Sequence, residues 1–115
     1  MRSQFVEARS SARASQYVFS YTVRIANEGG EKVQLRTRHW IITDATGKVS
    51  EVRGEGVIGA QPTLEPGQHF EYTSGSVLET PFGSMRGTYQ MYSDDGQHFD
   101  AAIPEFTLAQ PNALN

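Results

Sequence analysis

Cysteine is absent from all 115 residues. That removes disulfides, thiolate metal sites and a cysteine nucleophile together. Positive charge is scarce: ten lysines and arginines stand against thirteen acidic residues, for a formal net charge of -3. Gripping nucleic acid by its phosphates rests on a surplus of cations, so nucleic acid is not an expected partner. Long apolar runs are missing too. No segment approaches the roughly 20 apolar residues that cross a bilayer as a helix. The opening MRSQFVEARSSARAS lacks the apolar stretch of a signal peptide. The expectation is a cytoplasmic protein with no membrane attachment, and the lack of cysteine fits a reducing compartment.

What remains is a composition that folds. Hydrophobic residues make up 37% and charged residues 20%, within the range of globular domains. The length points to one domain with a single modest core.

The period of the apolar pattern is two. In QYVFSYTVRIAN, Tyr17, Phe19, Tyr21, Val23 and Ile25 share one face, while Gln16, Ser20, Thr22 and Arg24 share the other. Side chains alternate across a pleated strand, so this spacing buries one face and wets the other. Val18 is the exception. NEGGEK, DATGK, LEPGQ and SDDGQ supply turns between such runs. In LEPGQ, Pro followed by Gly is the chemistry of a type II turn. Asp95-Gly96 carries the signature of a two-residue hairpin. Along VQLRTRHWIITD the phase breaks before Trp40, Ile41 and Ile42. A bulge near Arg38 or His39 accounts for it, as does a strand end buried on both faces. Pro104 interrupts the last run, and Phe106 and Leu108 resume it.

Six to eight short strands with regular turns and no helix predict an all-β, antiparallel sandwich or small barrel. The sandwich is favoured because several strands keep one wet face. Residues 1–15 are read as an edge strand around Phe5 and Val6 followed by a mobile loop. Residues 16–108 form the sandwich, and 109–115 a flexible tail.

RGEGVIG, residues 53–59, contains the G-x-G-x-x-G spacing of dinucleotide-binding loops. Those glycines work where a strand turns into a helix whose N-terminus meets the pyrophosphate. Here AQPTLEPG follows, and its prolines forbid a helix of useful length. The dinucleotide fold is excluded. A backbone nest remains open: Gly54, Gly56 and Gly59 could present N–H groups to pyrophosphate or a nucleotide, with Arg53 adding charge. Glu55 opposes it. The alternative is that the glycines only shape a loop.

Other candidate chemistry is sparse. His39, His69 and His98 are far apart and make no metal-ligand spacing. Asp94, Asp95 and Asp100 surround His98, but a turn explains the first two. No serine sits in a nucleophile elbow. In RTRHW, Arg36, Arg38, His39 and Trp40 form either an interaction surface or a core tryptophan roofed by arginine stems.

RHWIITD, EVRGEGVIGAQPTLEPGQHFEYTSG and TPFGSMRGTYQM together resemble the ApaG family, also called CorD. The resemblance runs from about Tyr17 to Leu108. It implies an immunoglobulin/fibronectin type III-like antiparallel β-sandwich of about seven to eight strands. It also implies a non-catalytic ligand- or protein-binding module, linked in bacteria to cobalt resistance and magnesium efflux. In larger eukaryotic proteins the domain looks like a protein-interaction module. Contact of Gly54, Gly56 and Gly59 with pyrophosphate or a nucleotide has been proposed for the family, and all three are present. No resident cofactor and no metal ligand set are expected. A protein partner is expected, with the chain itself a monomer or weak homodimer. Direct divalent-cation binding is a further alternative.

Overall fold

The alternating runs pair into two antiparallel sheets. The protein is described from a computed structural model covering residues 2–6, 9–11 and 13–111. Eight strands follow one another: β1 (Arg2–Phe5), β2 (Tyr17–Ala26), β3 (Val33–Asp44), β4 (Val49–Glu55), β5 (Thr63–Leu64), β6 (His69–Leu78), β7 (Phe82–Ser93) and β8 (His98–Ala109). The smaller sheet runs β1-β2-β6; the larger runs β4-β3-β7-β8, with the short β5 also paired to β3. This is the immunoglobulin/fibronectin type III-like sandwich expected from the sequence. The tail from residue 112 onward lies outside the described residues.

The inward residues of β2 behave as their spacing dictates. Phe19, Tyr21 and Val23 are buried, with Tyr17 and Ile25 packed at the margins. Val18, the exception to the pattern, is also buried. Its carbonyl accepts from Val6 N–H and its own N–H donates to Ser10 Oγ, so residues preceding β2 fold against it. From the larger sheet come Leu35, Trp40, Met85, Tyr89, Met91, Ile103 and Leu108.

Trp40 stands at the centre of the core, 3% exposed. Its ring meets Tyr21 at 5.4 Å, Phe106 at 6.0 Å and Tyr89 at 6.3 Å, all edge to face. That arrangement suits the aromatic quadrupole. The position matches the strand on which antibody-type sandwiches bury a tryptophan against their disulfide. Here aromatic rings take the place of sulfur.

The phase break in β3 is a bulge, two residues earlier than the sequence suggested. Register slips between Leu35 and Thr37, leaving Arg36 as the extra residue. A second irregularity accommodates Pro104. Met85 faces Phe106 while Gly87 faces Ile103, so Pro104 and Glu105 fall within the offset of β8. A strand with no neighbour on one side tolerates proline there. Gly87 itself permits close approach: a Cβ would overlap the His39 carbonyl oxygen of β3. The LEPGQ turn is as expected, with Gly67 at φ 87° and Gln68 N–H donating to Glu65 O at 3.0 Å. The β7–β8 hairpin instead has a three-residue loop, Asp94 to Gly96, closed by Ser93 N–H to Gln97 O.

A polar contact between tyrosines joins the sheets inside the core. The hydroxyls of Tyr72, on β6, and Tyr89, on β7, are 2.5 Å apart. Burial pushes Tyr72 up from 10.0 to about 12, against the opposing effect of its bond to Tyr89. Burial and the bond to Tyr72 raise Tyr89 as well. An acid with a higher pKa folded than unfolded keeps its proton longer in the folded state. Stability should therefore be intact below the unfolded value of 10.0 and fall as pH rises toward about 12. Urea midpoints measured at about pH 9 and about pH 11 should show this decline. The Tyr72→Phe/Tyr89→Phe double variant should flatten it.

Candidate functional site

The glycine motif folds as the end of β4 followed by a two-residue hairpin. Val57 and Ala60 exchange both backbone hydrogen bonds, N–H of Val57 to O of Ala60 at 2.8 Å and the reverse at 2.9 Å. Between them, Ile58 has φ 42° and Gly59 φ 80°. Two consecutive positive φ values belong to a type I′ turn, whose twist matches a hairpin.

Each motif glycine has a steric task. At Gly56, φ is 62° and a Cβ would overlap the Ala60 carbonyl oxygen. Gly59 needs only its positive φ, since nothing lies within 4 Å of its Cβ position. Gly54 makes room for the Arg38 guanidinium, whose nearest nitrogen would be 2.7 Å from a Cβ. That guanidinium donates through one nitrogen to the carbonyls of Glu55 and Gly56, each at 2.9 Å. Arg38 thus clamps the strand entering the hairpin. The N–H groups of Gly56, Val57 and Ala60 are all donated within the chain. Among the described residues, no helix follows the motif.

Arg53 differs. Its side chain is 74% exposed, and its nearest acidic neighbour is Glu51 at 4.0 Å. It lies at the edge of a polar groove of about 590 Å³ crossing the outer face of the larger sheet. Thr37 and His39 of β3, Thr88 and Gln90 of β7 and Asp100 of β8 form its floor. Thr37 Oγ1 donates to Gln90 Oε1 at 2.8 Å, and Gln90 Nε2 donates to Thr88 Oγ1 at 2.9 Å. His39 Nε2 meets Glu51 Oε1 at 2.8 Å. These bonds hold the floor side chains of Thr37, Thr88, Gln90 and His39 in place.

The four candidates within RTRHW do not share one surface. Trp40 is in the core and Arg38 holds the hairpin strand. His39 points into the outer groove. Arg36, at the bulge, lies with its guanidinium carbon 4.5 Å from the centre of the Tyr92 ring. Sequence reasoning did not reach Thr37, Thr88 and Gln90, because polar residues on the wet face of a strand look alike. Nor did it reach Ile58. Among the described residues, no three of His, Asp and Glu come together where they could hold a metal ion. Asp95 spends its carboxylate on the turn, accepting from Ser93 Oγ and from Gln97 N–H at 3.1 Å. His98 packs edge-on to Tyr92 at 5.4 Å.

The fold and this face define an immunoglobulin/fibronectin type III-like sandwich with a pre-shaped polar groove and a clamped hairpin beside it. Among the described residues, no helix is long and apolar enough to cross a membrane. A sequence model of the ApaG domain matches residues 7–93. The chain is 56% identical over 112 residues to "Protein ApaG" of Chromobacterium violaceum, covering 97% of this chain and 89% of that one. It is 58% identical over 115 residues to "Protein ApaG" of Anaeromyxobacter dehalogenans, covering 100% and 90%. A crystal structure from Bordetella pertussis, described as an ApaA protein, superposes with a TM-score of 0.92 at 51% identity, covering 97% and 91%. The chain belongs to the ApaG family.

Proposed function

We propose that the chain is a non-catalytic binding module that docks on a partner protein through the 57–60 hairpin, with Ile58 as its anchor. The observation that carries this is the conformation of Ile58. A β-branched residue at positive φ is a genuine outlier, yet Ile58 sits at φ 42° with 60% of its surface exposed. Left-handed backbone costs about 1–2 kcal/mol for an ordinary L-residue, and glycine or asparagine would relieve it. An exposed apolar side chain held at such a cost is suited to filling a pocket on another molecule. The polar groove beside it supplies directional hydrogen bonds at the rim of such a contact. Ile58→Asn should leave the fold intact, with an equal or higher Tm. It should lose a stoichiometric partner that wild type captures from a lysate of the source organism. Equal capture by the variant would remove the reading.

Arg53 favours a second reading, contact with pyrophosphate or a nucleotide, because its exposed guanidinium, held only at 4.0 Å from Glu51, borders the groove opposite His39. Titration with pyrophosphate or ATP, followed by amide shifts, should then move residues 53–59, and Arg53→Gln should abolish the movement. Silence at millimolar ligand discards it. The family's link to cobalt and magnesium is tested by calorimetry with both ions.

A further inference from the structure

VSEVRGE, the whole of β4, holds neither lysine nor proline, the residues that commonly blunt an exposed strand edge. The opposite edge of the larger sheet is blunted: β8 carries Pro104 within an offset of its register. Among the described residues, β4 pairs with β3 alone. The first and last strands run on the far side of the sandwich from it, where Ser3 Oγ donates to Thr107 O at 2.9 Å. Every residue of β4 except Gly54 is exposed, Val52 by 41%.

Register decides which backbone groups that edge offers. At one end of the β3–β4 ladder Asp44 N–H donates to Lys48 O at 3.0 Å, and at the other Gly56 N–H donates to Arg36 O at 2.8 Å. Hydrogen-bonded pairs alternate along an antiparallel ladder. Ser50, Val52 and Gly54 therefore bond back to β3, opposite Ile42, Trp40 and Arg38. Glu51 and Arg53 turn their N–H and C=O groups away from β3. Their side chains share the outer face, because Arg53 lies opposite His39, which points into the groove.

The charges along this edge complement themselves. Antiparallel pairing of two copies about Val52 sets Glu51 opposite the partner's Arg53 and Arg53 opposite the partner's Glu51. Each is a hydrogen-bonded pair that exchanges two backbone bonds. Between them Val52 meets its own copy in a non-hydrogen-bonded pair, the kind in which side chains come closest. Sliding the centre to Glu51 or to Arg53 sets that residue against its own copy, and like charges directly opposite destabilise. One register is left favoured.

We propose that the chain forms a two-fold dimer by joining β4 to β4 edge to edge, strand addition in which the added strand comes from a second copy. The larger sheets then continue as one across the seam. The seam borders the outer groove, so each copy brings its Glu51 to the other's Arg53, beside the 2.8 Å contact of Glu51 with His39. A join this short buries little area, which makes the dimer reversible and concentration-dependent. It needs neither Ile58 nor a bound anion.

Sedimentation equilibrium of the purified full chain, up to about 1 mM, should show monomer and dimer in exchange. Glu51→Arg and Arg53→Glu, each still folded by circular dichroism, should weaken self-association at least about tenfold. Mixed one to one, these two variants should form a heterodimer, since every facing pair is then of opposite sign. Arg53→Pro removes an N–H that faces away from β3, so it should abolish the dimer and keep the fold. In wild type the amides of Glu51 and Arg53 should gain protection from hydrogen exchange as concentration rises. A monomer at every concentration would overturn the proposal. So would a dimer that both charge variants retain, or a mixture of the two that stays monomeric. A dimer lost with Ile58→Asn but kept by Arg53→Pro would place the contact at the hairpin and sink the β4 seam.

Discussion

Gly56→Ala should destabilise the fold by about 3 kcal/mol or more, while Gly59→Ala should cost only about 1 kcal/mol. Both glycines have positive φ, at 62° and 80°. Their surroundings separate them. A Cβ on Gly56 would overlap the Ala60 carbonyl oxygen, which is backbone already accepting from Val57 N–H and has nowhere to go. The same atom on Gly59 meets nothing within 4 Å. The first variant must break the Val57–Ala60 pair or displace Gly56 N–H from Arg36 O, a bond of 2.8 Å that ties the hairpin to the β3 bulge. The second pays only the left-handed penalty. Urea unfolding of both variants measures the difference. Equal losses would show that the hairpin rearranges freely and that Gly56 is not sterically required.

Trp40→Ala should cost about 3–5 kcal/mol, the usual loss for deleting a large aromatic from a core. Typical domains are stable by only about 5–15 kcal/mol, so the variant should be partly unfolded under mild heating. The ring occupies the middle of a cluster with Tyr21, Tyr89 and Phe106, and those neighbours are anchored on three different strands. They cannot all move inward to fill the space, so the cavity term stays large. Trp40 is the one tryptophan, so far-UV circular dichroism in urea should follow the transition in place of fluorescence. Trp40→Phe should recover about half of the loss by refilling part of the volume.

The sequence was most informative where the physics is local. Alternation in β2 and the Pro-Gly corner at residues 66–67 depend on neighbours a few positions away, and both folded as expected. The bulge did not show its place, because one extra residue reverses the phase without any composition of its own. It fell at Arg36, where the polar run from Arg36 to His39 gave no apolar residue to mark the slip. Gly87 looked like an ordinary strand glycine, since its constraint comes from His39 on another strand. The glycines at 56 and 59 were legible as turn-forming, while Arg53 to Glu55 fold as the end of β4. What could not be read was which side chain that shape displays, because isoleucine is the last residue that propensity would place at φ 42°.

The phenol pair that spans the core has a consequence for where such a domain can work. Two hydroxyls brace the sheets where related architectures rely on oxidised sulfur. No reductant can sever that brace and no oxidant is required to make it. The domain should assemble equally well under either electrochemical regime, provided the surroundings stay well short of strong alkali.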